Sequence, residues 1–266
     1  MSDGTETKSA PANREHGDHG EHGEHAETAK AGGRAALEEI EERLGQIEEL
    51  LAEDPEAAMR ALDELDVDPD DGFVRYLRAA ATWLLAGAAV AEPMLKELII
   101  EDPSFSEVHY ALAGVYEDLQ EPELNVRHLL AVLALDAAED PSEETTEAEE
   151  SQVIVAAEAA LASLPEEIRQ RLGNVAIVVE TRPSWAIVEE GFDPRALGMF
   201  EGPDDLDQRV LQLTPMNPRI VLFTANLASS WGEPVELAEE VKVTVLHEIG
   251  HYFGLDEDDV DSLGLM

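Results

Sequence analysis

Five consecutive residues, His247-Glu248-Ile249-Gly250-His251, combine side chains and spacing that can do chemistry. Histidines four apart project from one face of a helix, because four steps of 3.6-residue winding nearly close a turn. Two imidazoles so placed can hold a single zinc ion, and the glutamate between them can take a proton from the water that the ion binds. In hydrolysis Glu248 would act as general base and later return the proton to the leaving amine. The ion would bring its bound water to a pKa of about 7 and polarise the carbonyl. The run 235–253 predicts the helix that carries these residues, with Val241, Val243, Val245, Leu246 and Ile249 giving it buried character. Gly254 follows where such a helix can end. Tyr252 adjoins His251, about 100° round the helix from it, so it is a poor oxyanion donor and no residue is assigned that role.

A catalytic zinc usually takes three protein ligands and leaves one position for water. Fifteen residues follow His251, short of the separate later helix from which some sites draw a glutamate. The alternative is the pattern HExxHxxGxxH, in which a glycine turn brings the chain back under the metal. His247, Glu248, His251 and Gly254 match it, and Glu257 stands where the pattern has its last histidine. A carboxylate is an acceptable ligand there. Asp256 is the alternative third ligand, since a one-residue change in the turn would exchange the two. Asp258, Asp259 and Asp261 read as solvated surface charges. Two histidines and a carboxylate also suit iron; the helix motif argues for zinc, and spacing alone does not exclude iron.

The region from 148 to 266 resembles the small bacterial zincin-like metallopeptidase family. The blocks that carry the resemblance occur in order: Ser163-Leu164-Pro165-Glu166-Glu167-Ile168-Arg169, then Leu172 to Glu180, Leu197-Gly198-Met199-Phe200-Glu201-Gly202, Pro218 to Phe223, and Val245 to Glu257. The resemblance implies a compact zincin-like fold with the motif helix near its end. It also implies His247 and His251 as zinc ligands, Glu248 as the catalytic glutamate, and an acidic third ligand after Gly254. It supports a site more firmly than a substrate, and it does not reach residues 1–140.

The elements that must position these residues can be read independently. Residues 174–180 form a β-branched apolar run after the turn signal Gly173-Asn174. Residues 219–227 are a second strand candidate, entered through a loop marked by Pro215 and Pro218. An edge strand beside the metal helix could pair with an extended peptide. A helix over 148–164 opens this domain. Before it, the acidic, proline-containing stretch 137–147 reads as an extended linker.

Residues 35–136 read as helices in antiparallel pairs, over 35–52, 55–65, 73–86, 91–100, 105–119 and 123–135. Asp54-Pro55, Asp68-Pro69, Gly87, Asp102-Pro103 and Glu121-Pro122 separate them. A period of 34 aligns Val74 with Val108, Tyr76 with Tyr110, Leu95 with Leu129 and Asp102 with Asp136. That period resembles the tetratricopeptide repeat, with Ala79 and Ala113 at its small position and Tyr116 at its aromatic one. Such a module would recognise a peptide or protein. Residues 1–34 are polar and lack apolar periodicity, which predicts a disordered tail. His16, His19, His22 and His25 recur in it every third residue, a composition that can bind Zn²⁺ or Ni²⁺ weakly.

Composition narrows the partners. The net charge is -43, and lysine occurs only at Lys8, Lys30, Lys96 and Lys242. Nucleic acid and anionic membrane surfaces are therefore poor partners, since both require clustered cations. There is no cysteine, which excludes thiolate ligands and disulfides. No N-terminal apolar stretch resembles a signal peptide, and the expected location is cytoplasmic. The expected architecture is an α+β zincin-like domain preceded by an all-α repeat domain. The expected function is zinc-dependent hydrolysis of peptide bonds in a peptide or protein substrate. The rival is a non-catalytic adaptor or metal-sensing protein whose repeats bind a partner and whose zincin-like domain is structural. Glu248 favours the enzyme, because a structural site needs no base.

Overall fold

The computed structural model describes residues 39–139, 147–172, 175–202, 218–229 and 234–253. The chain divides into two compact units, Met1–Ala81 and Thr82–Met266. The His-rich tail over 1–34 lies outside the described residues, as do 140–146 of the expected linker.

In the first unit, helix α1 (residues 39–53) and α2 (Pro55–Glu64) pack with the start of α3 (Gly72–Ala86). Helix α2 starts sharply. The Asp54 carboxylate accepts the N–H of Ala57 at 2.8 Å, and Pro55 fills the first helical position, where its missing N–H is no loss. Asp71 does the same for α3, accepting from Phe73 and Val74 at 2.9 and 3.2 Å. Leu44, Ile47, Leu51, Leu62 and Leu77 form the core, and Arg78 donates to Asp63 at 2.7 Å over its edge.

The second unit begins with the end of α3 and continues through α4 (Ala88–Glu101), α5 (Ser106–Asp118) and α6 (Pro122–Glu139). Helix α4 starts three residues before the expected 91. Gly87, at φ 92°, makes the turn before it, and Pro93 is accommodated inside the helix. Helix α6 continues past the expected end at 135 through Glu139, so residues 137–139 are helix and not linker. Ala137 and Ala138 favour helix, and Asp136 is anchored by tertiary contacts described below. The positions aligned by the 34-residue period bury alike: Val74 and Val108, Ala79 and Ala113, Leu95 and Leu129. Trp83 donates its indole N–H to Asp118 at 2.6 Å. Its ring lies against Gly114, where a Cβ would come within 2.3 Å of it.

Between α5 and α6, His109 and His128 bring their Nδ1 atoms to 2.9 Å, and the His128 ring stacks on Tyr116. Burial first, then His109 and Arg127, push His128 down to about 4. It therefore stays neutral in the folded protein while the unfolded chain takes up a proton below about pH 6.5. Stability from this residue is fully present above that pH and falls as pH drops toward 4, by up to about 3 kcal/mol. Thermal melts from pH 7 to 4 should show this decline, and His128→Asn should flatten it.

The remaining elements are α7 (Glu147–Ser163), α8 (Glu166–Leu172), β1 (Ala176–Glu180), α9 (Trp185–Glu189), β2 (Gly198–Glu201), β3 (Arg219–Phe223), α10 (Thr224–Ser229) and α11 (Pro234–Tyr252). Among the described residues the sheet has the order β1-β3-β2, with β1 parallel and β2 antiparallel to β3. This is the α+β architecture expected for the region, behind a helical N-terminal part.

One expectation changes. Strand β3 stops at Phe223, and residues 224–229 turn into helix α10, held by the Ala225 N–H on Thr181 O at 3.0 Å. Strand β3 is central and buried, and among the described residues β2 is the edge strand beside the motif helix. A continuous β-branched run gives no sign of which neighbour lies on either side. Val153, Ala157 and Ala160 of α7 pack with Ile220 and Leu222 of β3 and with Val241, Val245 and Ile249 of α11. That core fixes the motif helix against the sheet.

Candidate active site

The motif lies within an unbroken helix, α11, as the apolar spacing predicts. Val241, Val245, Ile249 and Tyr252 form its buried stripe, which leaves His247 and Glu248 on the flank toward β2. Both line a cleft of about 640 Å³ between α11 and strand β2 with the loop before it. Glu248 is only 8% exposed. His251 stands one helical turn beyond His247. Tyr252, set aside as an oxyanion donor, is buried against Phe200, ring centroids 5.2 Å apart.

The expected third ligand, Glu257, and its alternative Asp256 lie outside the described residues. Among the described residues no three histidine, aspartate or glutamate side chains converge as a set of metal donors. The donors that are described suit zinc in type: an imidazole facing a cleft, with a carboxylate beside it in the same wall.

Strand β2 approaches α11 closely because residue 198 is glycine. A Cβ there would lie 2.9 Å from Thr244 Cγ2 and 3.0 Å from the Val221 carbonyl oxygen. The backbone atom cannot yield as a side chain could. Gly198→Ala should therefore push the strand off the helix, costing about 1–3 kcal/mol. A fall in melting temperature, with loss of any activity in the cleft, would register it.

A set of contacts that the sequence did not reveal holds the loop that leads into β2. Asn226 of α10 is buried and satisfied on both sides of its amide. It donates to Pro194 O at 2.9 Å and Ala196 O at 2.7 Å, and it accepts from Arg182 at 3.1 Å. Arg195 holds the loop from the other side. It donates to both oxygens of Asp136 in α6, at 2.7 and 2.9 Å, and to Ser106 Oγ in α5 at 2.9 Å. Its guanidinium also lies 5.0 Å from the centre of the Tyr110 ring. The Tyr110 hydroxyl in turn donates to Asp193 at 2.7 Å, and Asp193 lines the cleft.

Burial alone would raise the Asp136 carboxyl, but hydrogen bonds from Arg195 and Ser106 outweigh it and hold the group below its usual value. Helix α9 adds apolar contact, with Val188 packed among Ala113, Leu129 and Leu133. Helices α5 and α6 thus build one side of the unit that carries the cleft. The sequence signal was present only as Arg195 and Asp136, two opposite charges 59 positions apart.

No helix among the described residues is long and apolar enough to cross a membrane. Residues 172–265 match the model of a family described as zincin-like metallopeptidase. The match spans the sheet and the motif helix, and the helices before residue 172 lie outside it. No curated protein matches the chain.

Proposed function

We propose that this chain is a zinc-dependent peptidase in which Glu248 is the general base. The observation that carries this reading is the cleft, with His247 and Glu248 in one wall and the edge strand β2 in the other. His247, His251 and Glu257, with Asp256 as the alternative to Glu257, would hold the ion. When bound, zinc supplies a Lewis acid and a water acidic enough to react near neutral pH. Glu248 accepts the proton of the attacking water and delivers it to the amine leaving group as the peptide bond breaks.

Gly198, Met199 and Phe200 of β2 line the cleft. The side of β2 away from β3, which has no strand partner among the described residues, would offer main-chain donors and acceptors to an extended peptide lying across the wall that carries Glu248. The repeat-like helices over 35–136 are the recognition module for a protein substrate or regulator. The shared burial of positions 34 apart supports that part of the reading.

The test is metal content and cleavage of a broad peptide library by the whole chain, purified without added metal. Zinc, near one equivalent per chain, is expected, and iron in its place would redirect the chemistry. His251→Ala should lose the metal. Glu257→Ala and Asp256→Ala should separate the two candidates for third ligand, since only the ligand's loss weakens zinc retention. A zinc-free, inactive wild type would sink the proposal.

A further inference from the structure

The cleft face of α11 is a single stripe. Glu240, Val243, Thr244, His247 and Glu248 line the cleft, and their spacing keeps them on one side of the helix. His247 and Glu248 hold the chemistry at one end of it. Val243 stands one turn before His247, about 6 Å along the axis. That length matches roughly two residues of an extended peptide. Around Val243 the cleft is apolar: Phe192, Ala196 and Leu197 of the loop line it, with Met199 and Phe200 of β2.

Part of this apolar surface is not used by the core. Val241, Val245 and Ile249 are the residues of α11 packed with α7 and β3, whereas Val243 and Phe192 are half-buried and stand outside that cluster. Phe192 rests on the buried Phe223, ring centroids 6.1 Å apart, and keeps part of its surface open to the cleft. Half-exposed apolar side chains lining a concavity gain by covering an apolar group, because that removes more such surface from water.

The charges in the same cleft point to one kind of occupant. Asp193, Glu240 and Glu248 are all acidic, and no lysine or arginine is among the described lining residues. Burial raises the Glu240 carboxyl above its ordinary value, as poorly hydrated surroundings would. An acidic side chain entering here would meet like charge and no cation.

We propose that Phe192, Ala196 and Val243 form a subsite for an apolar side chain of the peptide substrate, within about two residues of the bond that is cut. The proposal rests on the peptidase reading and names the substrate class that this reading leaves open. Successive side chains of an extended peptide alternate in direction, so only one of two neighbouring positions turns into the subsite. The three residues are specificity determinants and take no part in the proton transfers.

The experiment uses the full chain, with Glu248→Gln as a background that binds without cleaving and the wild type for turnover. The probes are fluorescent, N-acetylated, C-amidated peptides of glycine and serine. One residue is varied among leucine, phenylalanine, alanine, glutamine and glutamate and moved through successive positions. At one position leucine should bind about tenfold more tightly than glutamine, with glutamate weakest. Wild-type kcat/KM should follow the same order at that position.

Val243→Phe fills the subsite and should move the preference there from leucine to alanine. Val243→Ala enlarges it and should place phenylalanine above leucine. Val243 lies outside the core, so both variants should melt close to wild type; were Val243→Phe to unfold, Val243→Ala carries the test. A reversal of size preference at one position is the mark of a binding wall, and a general loss of fold does not produce it.

Equal binding of leucine and glutamine at every position would overturn the subsite and leave the peptidase reading standing. So would a leucine preference of the same size at all positions, or one unchanged in the Val243 variants. The expected preference without wild-type cleavage of any peptide would overturn the peptidase reading and keep the subsite as one for a bound peptide. Absence of both binding and cleavage would overturn both.

Discussion

Glu248→Gln should reduce peptide hydrolysis by about 10²–10⁴-fold while zinc stays bound. Glutamine has nearly the same shape as glutamate but no basic oxygen, so the attacking water keeps its proton and the leaving amine receives none. Glutamine is the right replacement because Glu248 is 8% exposed. Alanine would open a cavity in the cleft wall and mix a packing defect with a chemical one. Three measurements on one preparation separate the possibilities: turnover on a cleaved peptide, zinc content, and melting temperature. Lost turnover with zinc and stability retained is the expected pattern. A fully active glutamine variant would show that another group moves the proton.

Arg195→Ala should cost about 2–4 kcal/mol and lower the melting temperature of the second unit by about 5–12 °C. The reason is geometric. Arg195 fixes the loop before β2 to Asp136, Ser106 and Tyr110 together. Its removal leaves Asp136, itself only partly exposed, without its hydrogen-bonded cation. The same loop carries Asp193 and leads into the strand that lines the cleft, so turnover should fall along with stability.

The pH dependence follows from the lowered Asp136 carboxyl. Its contribution is present above the ordinary aspartate value near 4 and is lost as pH falls through the lower folded value. In Arg195→Ala that part of the acid dependence should shrink, with only the Ser106 hydrogen bond and Arg182 left to lower the carboxyl. Comparing the two proteins' melts between pH 5 and 2.5 checks the sign. Equal stability of wild type and variant would show that α6 and the loop do not depend on each other.

Residue periodicity made much of this fold legible. The helix that carries His247 and Glu248 was readable because apolar residues recur on one of its faces, and burial follows that stripe. The β-branched runs gave β1 and β3, and breakers such as Asp54-Pro55 marked helix starts through their own local hydrogen bonds. Strand β2 was not readable from residue pattern. Gly198 to Glu201 is four residues long, begins with glycine, and becomes a strand through pairing with β3. Asn226 looked like part of a strand because its role, closing a loop 30 residues earlier, is a non-local hydrogen bond.

Local pattern alone supplied the chemistry on offer: two histidines one turn apart, a glutamate between them, and a helix stripe to hold them, all set by a 3.6-residue period. What faces that chemistry was set by folding in three dimensions. Which strand became the edge, which loop walled the cleft and which helices clamped that loop depend on contacts between residues far apart in the chain. Those contacts are chosen by shape and charge after collapse, and no short-range pattern encodes them.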